Sequence, residues 1–210
     1  MELRGSPARI FLCLAWCLVL ASPSLAQVET PTQMTQQLIE SMTACKDETD
    51  KTHKADGIAE AQAASCDVEK IEAHLALAEL ARWLMGPHWQ ALGEEKQQYF
   101  VDLLVRLLRE VAYPRAADFL SSSQIVYGKN HVEGKEAIVE TSLVDPEEGQ
   151  VMINYRLHHI DGVWKVWDVQ LDGVSMAGNL RKQVQSVMSR KSYEELVERM
   201  QKKLNWEGPQ

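Results

Sequence analysis

The chain has 210 residues, 45% apolar and 25% charged, which suits one domain with a substantial core and is short for two. Its 22 Lys and Arg against 30 Asp and Glu give a formal charge of −8, a balance that argues against nucleic acid or an anionic membrane surface as a direct partner. No phosphate loop, nucleophile elbow or metal-spaced His/Glu helix occurs, and His158-His159, adjacent in a strand, point to opposite faces, so neither a catalytic metal nor a cofactor is expected.

The N-terminus reads as a targeting segment. Arg4 and Arg9 precede an apolar run from Ile10 to Ala21, and Ser24-Leu25-Ala26 supplies small residues ahead of Gln27. The run falls short of the roughly 20 residues that span a bilayer. Residues 1–26 are therefore expected to be a cleaved signal peptide and 27–210 a single exported domain. Without Glu2, Arg4 and Arg9 the chain carries 20 bases and 29 acids, a formal charge of −9. Cys45 and Cys66 are then the cysteines that remain. An even count in an exported chain favours one disulfide, closing a loop of about 20 residues worth about 3 kcal/mol if unstrained. Two buried thiols are the alternative.

Met34, Leu38 and Met42 lie four apart and predict a first helix over 31–45. Residues 46–65 are polar and small, a solvated loop or a short exposed helix. Asp67 is placed to cap the next helix, whose broad stripe (Val68, Ile71, Leu75, Leu77, Ala78, Leu80, Leu84) runs on through Trp83 to a stop at Gly86-Pro87. A long helix follows Trp89–Glu95, with Phe100, Leu103, Leu104, Leu107, Leu108 and Val111 on one face and a kink or a restart expected near Tyr113 ahead of Pro114. Alternating segments at 124–127 and 137–144 predict two strands, with a turn at Asp145-Pro146 and Gly149.

The stretch from Tyr155 to Arg181 is the most informative. Asp161-Gly162 between alternating apolar runs predicts a two-residue type I′ hairpin, because that turn needs positive φ at both central residues. The turn sets Ile160 opposite Val163, His159 opposite Trp164, Leu157 opposite Val166 and Tyr155 opposite Asp168. Ile153, Tyr155, Leu157, Trp164, Val166 and one acid, Asp168, then share an inner face. Arg156, His158, Lys165, Trp167, Val169 and Leu171 share the outer one. A helix entered at Gly173-Val174-Ser175 carries Val174, Ala177, Leu180, Val184, Val187 and Met188, and Ser192–Glu195 is a capping box opening a last helix through Leu204. The sum is an α+β fold, a four-stranded antiparallel meander sheet curved over a helical layer.

This stretch resembles the C-terminal signature of the MlaC, or toluene-tolerance, family of periplasmic phospholipid-binding proteins. The matching residues are Tyr155-Arg156-Leu157, Asp161 through Val169, Asp172-Gly173-Val174-Ser175-Met176 and Asn179-Leu180-Arg181. Trp89 through Glu95 is similar to the family's turn before its long helix. Trp167, Asp172 and Leu180 depart from the usual Tyr, Glu and Tyr. The match covers about residues 66–205.

The resemblance implies an apolar lipid cavity between sheet and helices, with acyl chains against Leu80, Trp83, Leu84, Phe100, Leu104, Leu108, Ile153, Tyr155, Leu157, Val166, Val174 and Leu180. By periodicity alone these are core residues. It further implies a monomeric Gram-negative periplasmic carrier, not an enzyme, that moves phospholipid between an inner-membrane MCE-domain/ABC transporter complex and an outer-membrane lipoprotein–porin complex and so maintains outer-membrane lipid asymmetry. Hopanoid-associated relatives share the pattern, so a hopanoid is the alternative cargo.

Asp168 is the sharpest single residue, since an inward-facing acid must be paired, placed at a helix N-terminus or protonated. The structural reading has it accept from backbone N–H groups near Ser175 or pair with Arg181. The catalytic reading makes it the general base of a small-molecule isomerase or dehydratase, with Tyr155 opposite.

Overall fold

The computed structural model describes residues 29–52, 67–145 and 149–205. In chain order the elements are α1 (Pro31–Thr52), α2 (Val68–Ala73), α3 (Leu77–Met85), a 3-10 turn (Gly86–Ala91), α4 (Glu94–Leu107), a π-helical turn (Leu108–Ala112) and α5 (Tyr113–Ser121). Strands β1 (Gln124–Glu133), β2 (Glu136–Asp145), β3 (Gly149–Ile160), β4 (Val163–Leu171) and β5 (Val174–Ser175) follow, then α6 (Met176–Met188) and α7 (Tyr193–Leu204). The expected signal segment 1–26 and Cys66, with its expected bridge to Cys45, lie outside the described residues.

The fold is α+β, with an antiparallel sheet in the order β1-β2-β3-β4-β5. It has five strands where the sequence suggests four. The addition comes from Asp172-Gly173, a second Asp-Gly turn with φ of 47° and 80°, which pairs Leu171 with Val174 and Gln170 with Ser175. The first such turn, Asp161-Gly162, has φ of 50° and 86° and sets Ile160, His159 and Leu157 opposite Val163, Trp164 and Val166 as expected.

Beyond that point the register departs from expectation. Arg156 pairs with Asp168 and Tyr155 with Val169, so Trp167 is an extra residue on β4, a bulge. One inserted residue shifts the alternation of the strand beyond it, although Asp168, next to the bulge, stays buried against the start of α6. Val169 and Leu171, expected outside, therefore join the packed inner face. Trp167 itself lies against outer-face neighbours, stacked on His158 at 5.0 Å and under the Arg156 guanidinium at 4.8 Å.

The helix expected over 67–85 is two helices. Asp67 caps α2 by accepting from the Lys70 N–H, but the chain leaves the helix at His74 and runs alongside β4. The Ala76 N–H donates to the Val166 carbonyl at 2.8 Å and the Val166 N–H to the His74 carbonyl at 2.9 Å. Those bonds cover the free edge of β4 where β5 does not reach. Apolar spacing cannot reveal such a break, because the stripe continues on both sides of it. Ahead of Pro114 the long helix loosens into the π turn, and α5 restarts at Tyr113, the restart expected there.

Apolar side chains gather in two clusters. One lies between the sheet and α1 and α5, around Leu38, Ile71, Tyr113, Val139, Leu157 and Val166. The other joins α3, α4, α6 and α7 around Leu84, Met85, Phe100, Leu104 and Leu196. Gly86 locks the second cluster. Its φ of 52° with ψ of −127° suits glycine alone, and a Cβ there would lie 2.8 Å from Arg181 Nη2. Gly86→Ala is expected to cost about 2–3 kcal/mol, read as a lower denaturation midpoint with unchanged slope.

Candidate functional site

Between the two clusters lies a half-enclosed cavity of about 550 Å³. The sheet contributes Ile153 and Tyr155 from β3 and Val166 through Val169 and Leu171 from β4. Leu38 and Met42 of α1 close the floor, and Leu75 to Leu77 and Leu80 form one side. Leu108 and Ala112 of the π turn, then Tyr113, Arg115, Ala116, Phe119 and Leu120 of α5, form another. Met176, Ala177 and Leu180 of α6 complete it. Arg115 and Phe119 are exposed at the rim, while Tyr113, Leu120, Ile153, Tyr155 and Val166 are buried deep in the wall.

Of the twelve residues expected around an apolar cavity, Leu80, Leu108, Ile153, Tyr155, Val166 and Leu180 line it. The other six do not. Leu84, Phe100 and Leu104 are buried in the helical cluster, because α3 and α4 turn those faces toward α6 and α7. Trp83 packs on the same cluster, edge-on to Trp167 at 5.6 Å. Leu157 is fully buried in the core beside Ala137, and Val174 is 51% exposed at the sheet margin where the chain turns into α6. The sequence reading missed α5 as a wall altogether. The available signal was the small and apolar series Ala112, Ala116, Phe119 and Leu120, an i, i+4 pattern running past Pro114.

Asp168 is 3% exposed, and both of its oxygens are engaged. Oδ2 accepts from the Ser175 hydroxyl at 2.8 Å and Oδ1 from the Ala177 N–H at 2.9 Å. Ser175 in turn caps α6 by accepting from the Gly178 N–H at 2.8 Å. The acid thus sits at a helix N-terminus, where the macrodipole favours a negative charge, and joins β4 to α6. Of the two structural partners expected for it, the backbone near Ser175 is taken, through the Ala177 N–H, and Arg181 is not. The Arg181 guanidinium donates to the Trp83 carbonyl and lies 4.6 Å over that ring.

Burial pushes the Tyr155 phenol well above its usual range, and burial beside Glu72 does the same for Tyr113, so both stay neutral. Arg109 on the π turn grips Glu72 of α2 through two hydrogen bonds of 2.5 and 2.6 Å, spanning the wall near Leu75 and Ala112. Among the described residues no group of His, Cys, Asp or Glu stands close enough to hold a metal. Nor is any described helix long and apolar enough to cross a membrane.

Fold and site together define an α+β container whose hollow is walled almost wholly by hydrocarbon. The chain belongs to the MlaC family, whose model, described as MlaC protein, matches residues 32–202. Among solved structures, the phospholipid-binding protein from Ralstonia solanacearum, in complex with a phospholipid, is similar with a TM-score of 0.59 at 16% identity, over 83% of this chain and 94% of that one. At that identity the likeness establishes the fold. No curated protein shows significant sequence similarity to the chain.

Proposed function

We propose that the protein is a phospholipid carrier that binds acyl chains in the cavity between sheet and helices. The apolar, half-enclosed hollow carries this reading, in a chain of a family whose fold-mate from Ralstonia solanacearum was solved with a phospholipid. Each methylene taken out of water is worth about 0.8 kcal/mol, so two chains of roughly 30 methylenes represent more than about 20 kcal/mol. A carrier has to match the bilayer nearly methylene for methylene, or it never loads or never releases. A dry, non-directional wall does this, and the chemistry needs no nucleophile or base.

The same reading makes residues 1–26 a cleaved signal peptide, the remainder a single periplasmic domain, and the Cys45–Cys66 pair a local staple. It places the protein between an inner-membrane MCE-domain/ABC transporter complex and an outer-membrane lipoprotein–porin complex, in the upkeep of outer-membrane lipid asymmetry. The alternative of a pocket enzyme loses its base, because both Asp168 oxygens are committed to the start of α6.

Native mass spectrometry of protein exported to a periplasm and purified without detergent tests the proposal. The expected result is a mass excess equal to one or two phospholipids, released intact on denaturation. A bare protein mass across several preparations rejects it.

A further inference from the structure

Among the described residues, two charged ones line the cavity, Asp168 and Arg115. Asp168 is satisfied internally by Ser175 and Ala177. Arg115 is not: among the described residues it makes no ion pair or hydrogen bond, whereas the preceding arginines of the same helical run are held, Arg106 by Glu110 and Arg109 by Glu72. It sits on the first turn of α5, exposed, two residues after the buried Tyr113 and one turn before the exposed Phe119, on a face that belongs to the cavity rim. Arg115 is thus an uncommitted cation at the mouth of a hydrocarbon hollow, in a molecule whose overall formal charge is −8.

Guanidinium groups bind phosphate through two parallel N–H···O bonds, and they do so best beside low-dielectric surface that excludes competing water. A lipid whose chains fill the cavity has its polar end at this rim. We infer that Arg115 is the phosphate contact of the bound lipid and makes the protein selective for lipids bearing a phosphate ester over neutral ones of equal hydrocarbon content. The inference rests on the carrier reading and deepens it, because a neutral diacylglycerol or an uncharged polycyclic lipid satisfies the wall but leaves the cation unused. Selectivity between phosphate headgroups is not implied, since the contact is to the group they share.

The test compares two probes presented in phosphatidylcholine vesicles, fluorescent phosphatidylglycerol and the diacylglycerol with the same chains. The purified protein is studied as wild type, Arg115→Gln and Arg115→Lys. Wild type should take up the phospholipid about three- to tenfold more tightly than the diacylglycerol. Arg115→Gln should bring the two within about twofold by weakening only the phospholipid, Arg115→Lys should keep part of the preference, and added salt should erode it in wild type and Arg115→Lys but change nothing in Arg115→Gln. A preference that persists in Arg115→Gln overturns the inference. So does glycerol 3-phosphate binding as tightly as the lipid, which would make the rim a site for a soluble phosphate ester. Uptake of neither lipid by wild type overturns the carrier reading itself, and the assignment of Arg115 with it.

Discussion

Replacing Ala116 by Trp is expected to empty the protein of lipid while leaving it folded. Ala116 is half-buried on α5 and faces the cavity between Ala112 and Phe119. An indole there occupies ligand space and not core space, because the cavity wall is the surface it projects from. The overpacking cost that attends small-to-large changes in a filled interior is therefore largely avoided. Bound lipid, measured by extraction or native mass, should fall by at least about tenfold, with the denaturation midpoint of the unloaded protein within about 2 °C of wild type. Ala112→Trp, one turn earlier on the same wall, should act alike. Normal lipid content in both variants would mean that the hollow is not where lipid resides.

The second large effect is structural and falls on Asp168. Asp168→Ala leaves the Ser175 hydroxyl and the Ala177 N–H without their acceptors at a buried strand–helix joint. Stranded buried donors cost about 1–3 kcal/mol each, and the hydroxyl can turn to another acceptor, so a loss of about 2–4 kcal/mol is expected. At about 2–4 °C per kcal/mol for a domain of this size, the midpoint should drop by roughly 5–15 °C. Asp168→Asn retains one carbonyl oxygen and should lose about half as much. Thermal denaturation of the two variants separates this role from a catalytic one. A general base replaced by its amide would leave the midpoint in place and abolish turnover, the reverse of what the geometry at α6 predicts.

Much of the fold was legible because local chemistry and tertiary structure agree. Asp161-Gly162 fixed a hairpin whose first four pairings, out to Leu157 and Val166, follow the expected register, and Asp67, Ser175 and Ser192 cap helices by accepting from Lys70, Gly178 and Glu195. The register error beyond Leu157 had a visible cause. Apolar residues on β4 fall at Trp164 and Val166, then at Val169 and Leu171, and that shift of one in an alternating run is what a bulge looks like in sequence. Asp172-Gly173 repeats the turn signature found eleven residues earlier, and it marks β5.

The site was harder to read than the fold. Periodicity tells which face of a helix is buried and nothing about what lies opposite. The face of Phe100 and Leu104, as regular as any in the chain, meets other helices, while the cavity takes its wall from the less regular α5. The break at His74 was invisible for a related reason: it is imposed by the unpaired edge of β4, a partner nearly a hundred residues away in sequence.

The division into two apolar clusters bears on the fate of the protein between cargoes. A dry, closed void of about 550 Å³ would forfeit about 13 kcal/mol at the roughly 24 cal/mol per Å³ found for engineered cavities, as much as a typical domain's whole stability. The hollow escapes most of that penalty by being open to water, yet its wall contributes little cohesion when unoccupied. Most of the packing of α3, α4, α6 and α7, around Leu84, Phe100 and Leu196, lies outside the hollow, and only Leu80, Leu108 and Leu180 are shared with its wall. It acts as a keel: if the proposed lipid leaves the hollow, this half of the core keeps its packing and the fold need not be rebuilt before the next one enters.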